Sequence, residues 1–285
     1  MSGVEPPSAL PPGVSPPGAS PPSASPTPDE GARLWEDHAD WWQREFTDGV
    51  DPEYTEQIVP LILERLAGHD RVLDVGAGEG QVSRALAAAG AQVIGVDPIQ
   101  AQVEVAAARN DAAAGNGTAV EPHDNTGPRY VRAEAAALPV ASGSQDAVVA
   151  CLVFEHIDDV DRAIAEVARV LRPGGRFLFL LNHPLLQTPG SGWIDDQLID
   201  PPEQYWRIGP YLPEAVTVEE VQKDVFIRFV HRPLSRYVNA LADASLPIER
   251  MDEPSPPQAF LDQSPWYAAA DTVPRLLALT CVKSG

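Results

Sequence analysis

A run of glycines directly after a short apolar stretch is the part of the sequence whose chemistry is most specific. Residues 72–75 have the composition of a buried strand, Gly76, Gly78 and Gly80 follow at alternate positions, and residues 82–89 have the apolar spacing of a helix. Glycine lacks a Cβ and tolerates positive φ, so the backbone of such a loop can approach a ligand closely. The following helix adds free N–H groups. The pattern predicts a cofactor-binding loop, although an ordinary tight turn would also satisfy it.

The spacing of this loop narrows the choice of ligand. In a dinucleotide-binding loop, G-x-G-x-x-G, the third glycine would fall at Gln81, and the Gly-Lys-Ser/Thr ending of a phosphate-binding P-loop is absent. Glu79 adds an acid to the loop, which opposes a pyrophosphate. A ligand that is cationic or neutral at this point is therefore favoured, and S-adenosylmethionine, with its sulfonium and ammonium groups, fits. An NAD-dependent oxidoreductase is the less favoured alternative.

Two further segments extend the pattern. Residues 92–97 read as a second strand that ends in Asp97, where a carboxylate can accept hydrogen bonds from both ribose hydroxyls. An exposed aspartate that caps the next helix is the structural alternative. Residues 146–152 read as another buried strand, and a helix, a Pro-Gly-Gly turn and a strand at 176–181 follow. The alternation of strands and helices predicts a doubly wound α/β sheet with ligands at the carboxyl ends of its strands.

In this order, the segments resemble a class I S-adenosylmethionine-dependent methyltransferase of the small-molecule subgroup called type 11. The resemblance spans roughly residues 55–183, and its matching stretches are 72–81, 93–97, 132–140, 146–157 and 171–181. A further stretch, 231–237 (His-Arg-Pro-Leu-Ser-Arg-Tyr), is similar to a segment of some bacterial members. The resemblance implies a methyl-transferring enzyme with a Rossmann-like, mostly parallel seven-stranded sheet and S-adenosylmethionine as cofactor. A non-catalytic binding or sensor protein of the same fold is the alternative.

The resemblance also implies roles for single residues. Asp74 would face the ammonium group of the cofactor and Asp97 the ribose, while Pro98 and Ile99 would pack on the adenine. Glu134 stands where the family usually has Asp and would accept from the adenine amino group. The predicted cofactor-binding residues are Asp74, Gly76, Ala77, Gly78, Gly80, Asp97, Pro98, Ile99, Glu134, Ala135 and Leu152.

Histidines near strand ends are the candidates for a general base. His183 directly follows the predicted fifth strand, and His231 lies at a later strand–helix junction. An unperturbed imidazole titrates near neutral pH and can take a proton from an acceptor. We therefore predict His183 and His231 as catalytic, with buried structural histidines as the alternative. His156 is a third candidate, although the family often uses a residue at this place for packing.

Residues 182–220 lose regular periodicity and are rich in Pro, Gly, Trp and Tyr. A connection of this length is commonly a functional lid, so we predict a lid over the acceptor. An apolar or aromatic acceptor pocket is the corresponding prediction for the aromatic residues Trp41, Trp42, Tyr205, Trp206 and Tyr211. Packing of the Trp35–Trp42 region on the sheet is the alternative.

Composition and net charge limit the domain boundaries and the partners that we expect. Residues 1–30 are dominated by Pro, Ser, Gly and Ala and predict a disordered tail before a domain at residues 31–285. The net charge of −21 argues against nucleic acid as a partner. No apolar run is long enough to span a membrane. Two cysteines form no disulfide or zinc pattern, so a reducing cytoplasm and no metal are expected. The expected partner is a small-molecule acceptor, and the oligomeric state is left open.

Overall fold

The computed structural model describes residues 27–47, 49–115, 127–263 and 270–285. The predicted tail therefore lies outside the described residues except for residues 27–30. The helices are α1 (Pro28–Asp37), α2 (Ala39–Glu45), α3 (Val59–Arg65), α4 (Gln81–Ala88), α5 (Gln100–Gly115), α6 (Val160–Val170), α7 (Leu234–Asp243) and α8 (Gln258–Leu261). A π-helical turn (Tyr54–Ile58) leads into α3, and 3-10 turns lie at Phe154–His156 and Ala270–Thr272.

The strands are β1 (Arg71–Val75), β2 (Gln92–Asp97), β3 (Arg129–Arg132), β4 (Gln145–Cys151), β5 (Leu171–Asn182), β6 (Gly192–Asp196), β7 (Glu203–Arg207), β8 (Ala215–Gln222), β9 (Val225–His231), β10 (Ile248–Asp252) and β11 (Leu276–Val282). Seven of them form one sheet in the order β10-β11-β5-β4-β1-β2-β3. The pairs from β3 to β5 are parallel, while β11 runs antiparallel to β5 and to β10. The predicted doubly wound, mostly parallel α/β sheet is thereby confirmed.

The strand order places a crevice at the carboxyl ends of β1 and β4. The chain adds β2 and β3 on one side of β1 and then β4 and β5 on the other. Where the winding direction reverses, the connections after neighbouring strands diverge and leave room for a ligand. The cofactor-binding loop predicted after β1 therefore emerges into this crevice.

Two layers of apolar side chains pack against the central strands, one on each face of the sheet. Phe177 and Phe179 of β5 belong to the layer under α6 and α7, whereas Leu178 and Leu180 of the same strand belong to the layer under α3 and α4. Side chains of a strand alternate between its faces, so a strand that is covered on both sides must be apolar throughout. All seven residues of β4 are buried, and the last five of them, residues 147–151, are apolar for the same reason.

Several boundaries differ from the sequence predictions. The alternating pattern of residues 221–230 predicts one strand, whereas the structure divides these residues among the end of β8, the hairpin turn with Asp224 at φ 64°, and β9. Strand β10 was not predicted. Helix α1 begins at Pro28, before the predicted domain start at Gly31, because Thr27 and Glu30 form a capping box around a proline in the first turn.

Candidate active site

The glycine loop after β1 is folded tightly onto its neighbours. Gly76, Gly78 and Gly80 have φ values of 73°, 53° and 86°, which favour glycine. The N–H of Gly76 donates to the carbonyl of Val96 at 2.8 Å. A Cβ on Gly76 would lie 2.1 Å from a Val153 methyl. The loop therefore needs these glycines both for its backbone angles and for its close approach to the loop after β4.

Asp97, at the end of β2, fixes this loop and also faces the crevice. Its Oδ2 accepts from the N–H of Gly78 at 2.9 Å, and its Oδ1 accepts from the N–H of Ile99 at 2.9 Å. Burial raises its pKa to about 6. Asp97 is therefore not the exposed helix cap considered as the structural alternative, because it is buried and its contact to Ile99 lies before α5. Further lone pairs of the carboxylate remain for a ligand.

Asp74 of β1 is the second acid at the crevice. It is buried, and its Oδ2 accepts from the hydroxyl of Ser83 at 2.6 Å. Burial raises the pKa of Asp74 to about 7, well above the usual range. The hydrogen bond from Ser83 opposes this shift, and the nearby charge of Asp97 adds to it. A carboxyl held in this state becomes charged when a cation arrives.

Glu79 does not present an open charge to a ligand, contrary to the reasoning from sequence. Its Oε2 lies 2.7 Å from Nη2 of Arg84 and 2.6 Å from Nη1 of Arg109, and its side chain is only 1% exposed. The protein itself neutralises this acid. Glu79 therefore does not oppose a pyrophosphate, and Asp74 and Asp97 are the other buried acids that line the cavity.

A cavity of about 450 Å³ occupies the crevice. All of the predicted cofactor-binding residues except Gly80 line it, although they come from four separate segments of the chain. Gly80 instead packs beneath Tyr130, whose hydroxyl oxygen would lie 2.2 Å from an added Cβ. From the region predicted as an aromatic pocket, only Trp42 lines this cavity, while Trp41 borders a smaller void behind it.

Helix α1 covers the cavity, which the sequence did not predict. Pro28, Asp29, Gly31, Ala32 and Trp35 all line the space. At its far end, the carboxylate of Glu36 accepts from the N–H groups of Gln100 and Ala101 at 3.0 Å each. These N–H groups belong to the first turn of α5, so α1 is attached to the rim of the site beside Asp97. The capping box at Thr27 was the signal that could have revealed this helix.

The lid prediction for residues 182–220 remains a prediction, since none of these residues lines the cavity. Trp193 of β6 and Trp206 of β7 pack edge to face at 5.6 Å, and Tyr205 is 44% exposed. The hydroxyl of Tyr211 accepts from the N–H of Leu234 at 2.8 Å. A role over the acceptor would require this segment to move towards α1.

The two histidines predicted as catalytic lie outside the cavity lining. His183 is buried, its Nδ1 accepts from the N–H of Leu185 at 3.1 Å, and its Nε2 lies 2.9 Å from Oε1 of Glu253. His231 is also buried, with Nε2 2.8 Å from the carbonyl of Tyr211. Burial lowers the pKa of both imidazoles. Their predicted role as bases stays a prediction that this arrangement does not favour.

His156, the third candidate, does line the cavity. Its Nδ1 lies 2.8 Å from the carbonyl oxygen of Arg228, and its ring meets the Trp35 ring edge to face at 5.0 Å. Burial lowers its pKa to about 4, so the ring is neutral at physiological pH. Among the described residues, no group of three or more metal-ligating side chains lies close enough together to bind a metal.

The stretch 231–237, which is similar to a segment of some bacterial members, contains Arg232, and this residue contacts the loop after β4. Its guanidinium is buried and donates to the carbonyl oxygens of Phe154, Ile157 and Asp158 at 3.2, 2.7 and 2.7 Å. These contacts brace the loop after β4 that carries His156. The stretch therefore positions one wall of the cavity from a distant part of the chain.

Fold and site together define a class: a doubly wound α/β protein with a cavity that carries buried acids at the switch point of its sheet. A family model described as a methyltransferase domain matches residues 73–179. An uncharacterized methyltransferase of Mycobacterium tuberculosis is 36% identical over 144 residues, 50% of either chain. A demethylmenaquinone methyltransferase of Thermobifida fusca is 32% identical over 174 residues, 57% of this chain and 67% of that protein.

The solved structures include an S-adenosylmethionine-dependent methyltransferase from Mesorhizobium loti. It superposes with a TM-score of 0.66 and 26% identity, and covers 83% of this chain and 99% of its own. The chain spans about half the length of the mycobacterial relatives that it matches. It belongs to the class I S-adenosylmethionine-dependent methyltransferases, and S-adenosylmethionine is its cofactor. Within the described part of the chain, no helix is both long and apolar enough to cross a bilayer.

Proposed function

We propose that the protein transfers the methyl group of S-adenosylmethionine to an oxygen, nitrogen or carbon nucleophile of a small organic molecule. One observation carries this proposal: the cavity that holds the cofactor residues Asp74 and Asp97 continues to a wall of Trp35, Trp42 and His156. Its volume of about 450 Å³ lies in the range of small-molecule sites, roughly 300–1,000 Å³. A cofactor and a small acceptor therefore suit it better than a macromolecule.

The residues at the crevice fit the cofactor chemically. The carboxyl of Asp74, whose pKa is about 7, suits the ammonium group, since a cation favours its ionised form. Asp97 has lone pairs left for the ribose hydroxyls after its two backbone contacts. Ile99 supplies an apolar surface for the adenine, and Glu134 and Ala135 lie on the same lining for the polar edge of that ring.

When bound, the cofactor supplies an activated methyl group and leaves as a neutral thioether. The protein's own contribution is then to align the acceptor and to exclude water, because no charged leaving group has to be stabilised. Helix α1 provides the cover that such exclusion needs. A relative from Acidiphilium cryptum, 34% identical over 151 residues, is named a ubiquinone/menaquinone biosynthesis C-methyltransferase, which supports including carbon among the nucleophiles that we propose.

Substitution of Asp97 by Ala tests the cofactor assignment. We expect the affinity for S-adenosylhomocysteine, measured by calorimetry, to fall about ten- to a hundredfold, since a charge-assisted hydrogen bond contributes roughly 1.5–3 kcal/mol. Asp70→Ala is the matched control, because this exposed aspartate precedes β1 at the opposite end of the sheet. Equal affinities of wild type and Asp97→Ala would contradict the site.

A turnover assay separates the enzyme from a sensor of the same fold. The protein is incubated with S-adenosylmethionine and a pool of small metabolites, and formation of S-adenosylhomocysteine is followed. Acceptor-dependent formation is the expected result. Tight binding of the cofactor without turnover across chemically broad pools would favour the sensor and contradict the proposed transfer.

A further inference from the structure

The tautomer of His156 is fixed by its contact with the protein backbone. A carbonyl oxygen can only accept, so the Nδ1 that lies 2.8 Å from the oxygen of Arg228 must carry the proton. Nε2 then has a free lone pair and can only accept. Among the residues that the structure describes, no donor lies within hydrogen-bond distance of Nε2, this atom keeps accessible surface, and the His156 side chain lines the cavity. The cavity wall thus offers a hydrogen-bond acceptor whose donor must come from a ligand.

Aromatic and apolar side chains surround this acceptor. The rings of Trp35 and Phe229 lie 5.0 and 4.9 Å from the His156 ring, and Trp42 meets Trp35 edge to face at 5.7 Å. Trp35, Trp42 and Leu152 share the cavity lining with His156. Planar aromatic ligands gain both apolar burial and favourable ring contacts on such a surface.

Two charged residues that line the cavity with His156, Arg228 and Asp158, are paired with each other. Arg228 is buried and pairs with Asp158 at 2.5 and 3.1 Å. The carboxylate of Asp159 accepts from the N–H of Arg162 at the start of α6. A cationic ligand would meet the guanidinium of Arg228, and an anionic one would have to displace Asp158. This end of the cavity therefore favours a neutral molecule.

We propose that the methyl acceptor is a neutral, planar aromatic molecule whose O–H or N–H group donates a hydrogen bond to Nε2 of His156. This inference rests on the proposed function and specifies its acceptor. The hydrogen bond orients the acceptor, while Trp35 and Trp42 hold its ring. The neutral state of His156 that follows from its burial keeps the lone pair available throughout the physiological pH range.

Three probes separate the two features of the proposed acceptor. In 2-naphthol an aromatic ring and an O–H are combined, naphthalene lacks the O–H, and decahydro-2-naphthol lacks the aromatic ring. Dissociation constants are measured on the complex of the protein with S-adenosylhomocysteine. We expect 2-naphthol to bind about five- to tenfold more tightly than either analogue, the range of one buried hydrogen bond. Equal affinities for 2-naphthol and naphthalene, or for 2-naphthol and its decahydro form, would overturn the proposal.

Variants of His156 test whether this residue causes the preference for 2-naphthol over naphthalene. In His156→Asn the amide nitrogen can still donate to the Arg228 carbonyl, but nothing replaces Nε2, so the preference for 2-naphthol over naphthalene should disappear. In His156→Gln the amide oxygen lies near the former Nε2 and should restore part of it. The matched control is His69→Ala, because that ring also contacts a backbone carbonyl, Leu66 at 3.0 Å, but does not line the cavity.

These measurements distinguish failure of the acceptor assignment from failure of the proposed function. If S-adenosylhomocysteine does not bind to the wild type, the proposed function fails. If it binds and 2-naphthol does not, or if His156→Asn and His156→Gln both keep the full preference for 2-naphthol, only the acceptor assignment is overturned. Unchanged affinity of each variant for S-adenosylhomocysteine shows that its fold is intact.

Discussion

At the scale of single residues, the site holds acids in an environment that opposes their charge. Asp74 and Asp97 are buried side by side at the ends of β1 and β2, and their pKa values are raised to about 7 and 6. A raised carboxyl pKa means that the ionised form destabilises the fold when no ligand is present. These residues are therefore better explained by cation and hydroxyl binding than by stability.

Asp74→Asn tests whether the carboxyl of Asp74 serves cofactor binding at a cost in fold stability. The stability from a carboxyl with a raised folded pKa is fully present below the unfolded value of about 4 and is lost as the pH rises through about 7. Because Asn carries no charge, the Asp74→Asn variant does not lose this stability. Without ligand, its melting temperature should exceed that of the wild type by more at pH 8 than at pH 5. Each unit of pKa corresponds to about 1.4 kcal/mol at most. Affinity for S-adenosylhomocysteine should fall in the same variant.

Asp146→Asn should show the opposite sign and serves as the control. Hydrogen bonds from Arg71 and Arg172 lower the pKa of Asp146 to about 2, so its ionised form stabilises the fold at every pH above the unfolded value. Its replacement should lower the melting temperature at both pH 5 and pH 8. A gain for Asp74→Asn that does not grow with pH would contradict the assigned burial of this charge.

At the scale of elements, α1 is the part that closes the site. It contributes Trp35 to the cavity wall and is joined to the first turn of α5 through Glu36. A carboxylate at a helix N-terminus is stabilised by the free N–H groups and the helix dipole. This contact is exposed, so it contributes only modestly to holding α1 over the cavity.

Glu36→Ala should loosen this closure. Loss of an exposed contact to a helix N-terminus corresponds to roughly 0.3–1 kcal/mol, so we expect S-adenosylhomocysteine to dissociate about two- to fivefold faster in stopped-flow fluorescence. Asp40→Ala is the control, since this aspartate lies on the adjacent α2 and pairs only loosely with Arg44 at 3.8 Å. An unchanged dissociation rate in Glu36→Ala would show that α1 is not held by this contact.

At the scale of the whole molecule, the domain combines a sheet that is buried on both faces with a strongly acidic composition. The absence of a nucleic-acid partner, which the net charge of −21 predicts, stays a prediction. The lining of the cofactor cavity comes from segments that extend from Pro28 of α1 to Arg228 of β9. Completion of the site therefore depends on the docking of the N-terminal helices onto the sheet.

Two truncations test where the functional domain begins. Deletion of residues 1–24 should leave the melting temperature and the affinity for S-adenosylhomocysteine unchanged, because a Pro-rich segment buries little surface. Deletion of residues 1–38 removes α1 and should lower that affinity by about tenfold or more, since the cavity loses one wall. Equal affinity of the two truncated proteins would show that α1 is dispensable for cofactor binding.

The sequence by itself determined the sheet and the cofactor end of the site. Gly76, Asp97 and the apolar strands carry local signals, since a glycine-dependent turn, a strand-end acid and a two-sided buried strand depend on neighbours close along the chain. The alternation of strands with helices then predicted a doubly wound, mostly parallel sheet, because crossover connections leave few ways to wind one. The strand order and β10 came from the structure.

Only the tertiary structure decided what covers the site and which histidine faces it. His156, His183 and His231 all follow strands and look alike in sequence, yet only His156 reaches the cavity. The difference arises from contacts between distant segments, such as the Arg228 carbonyl that orients His156 and the Glu253 carboxylate that lies against His183. Local sequence patterns do not encode such pairings, because they depend on how β9, α1 and the loop after β4 pack together.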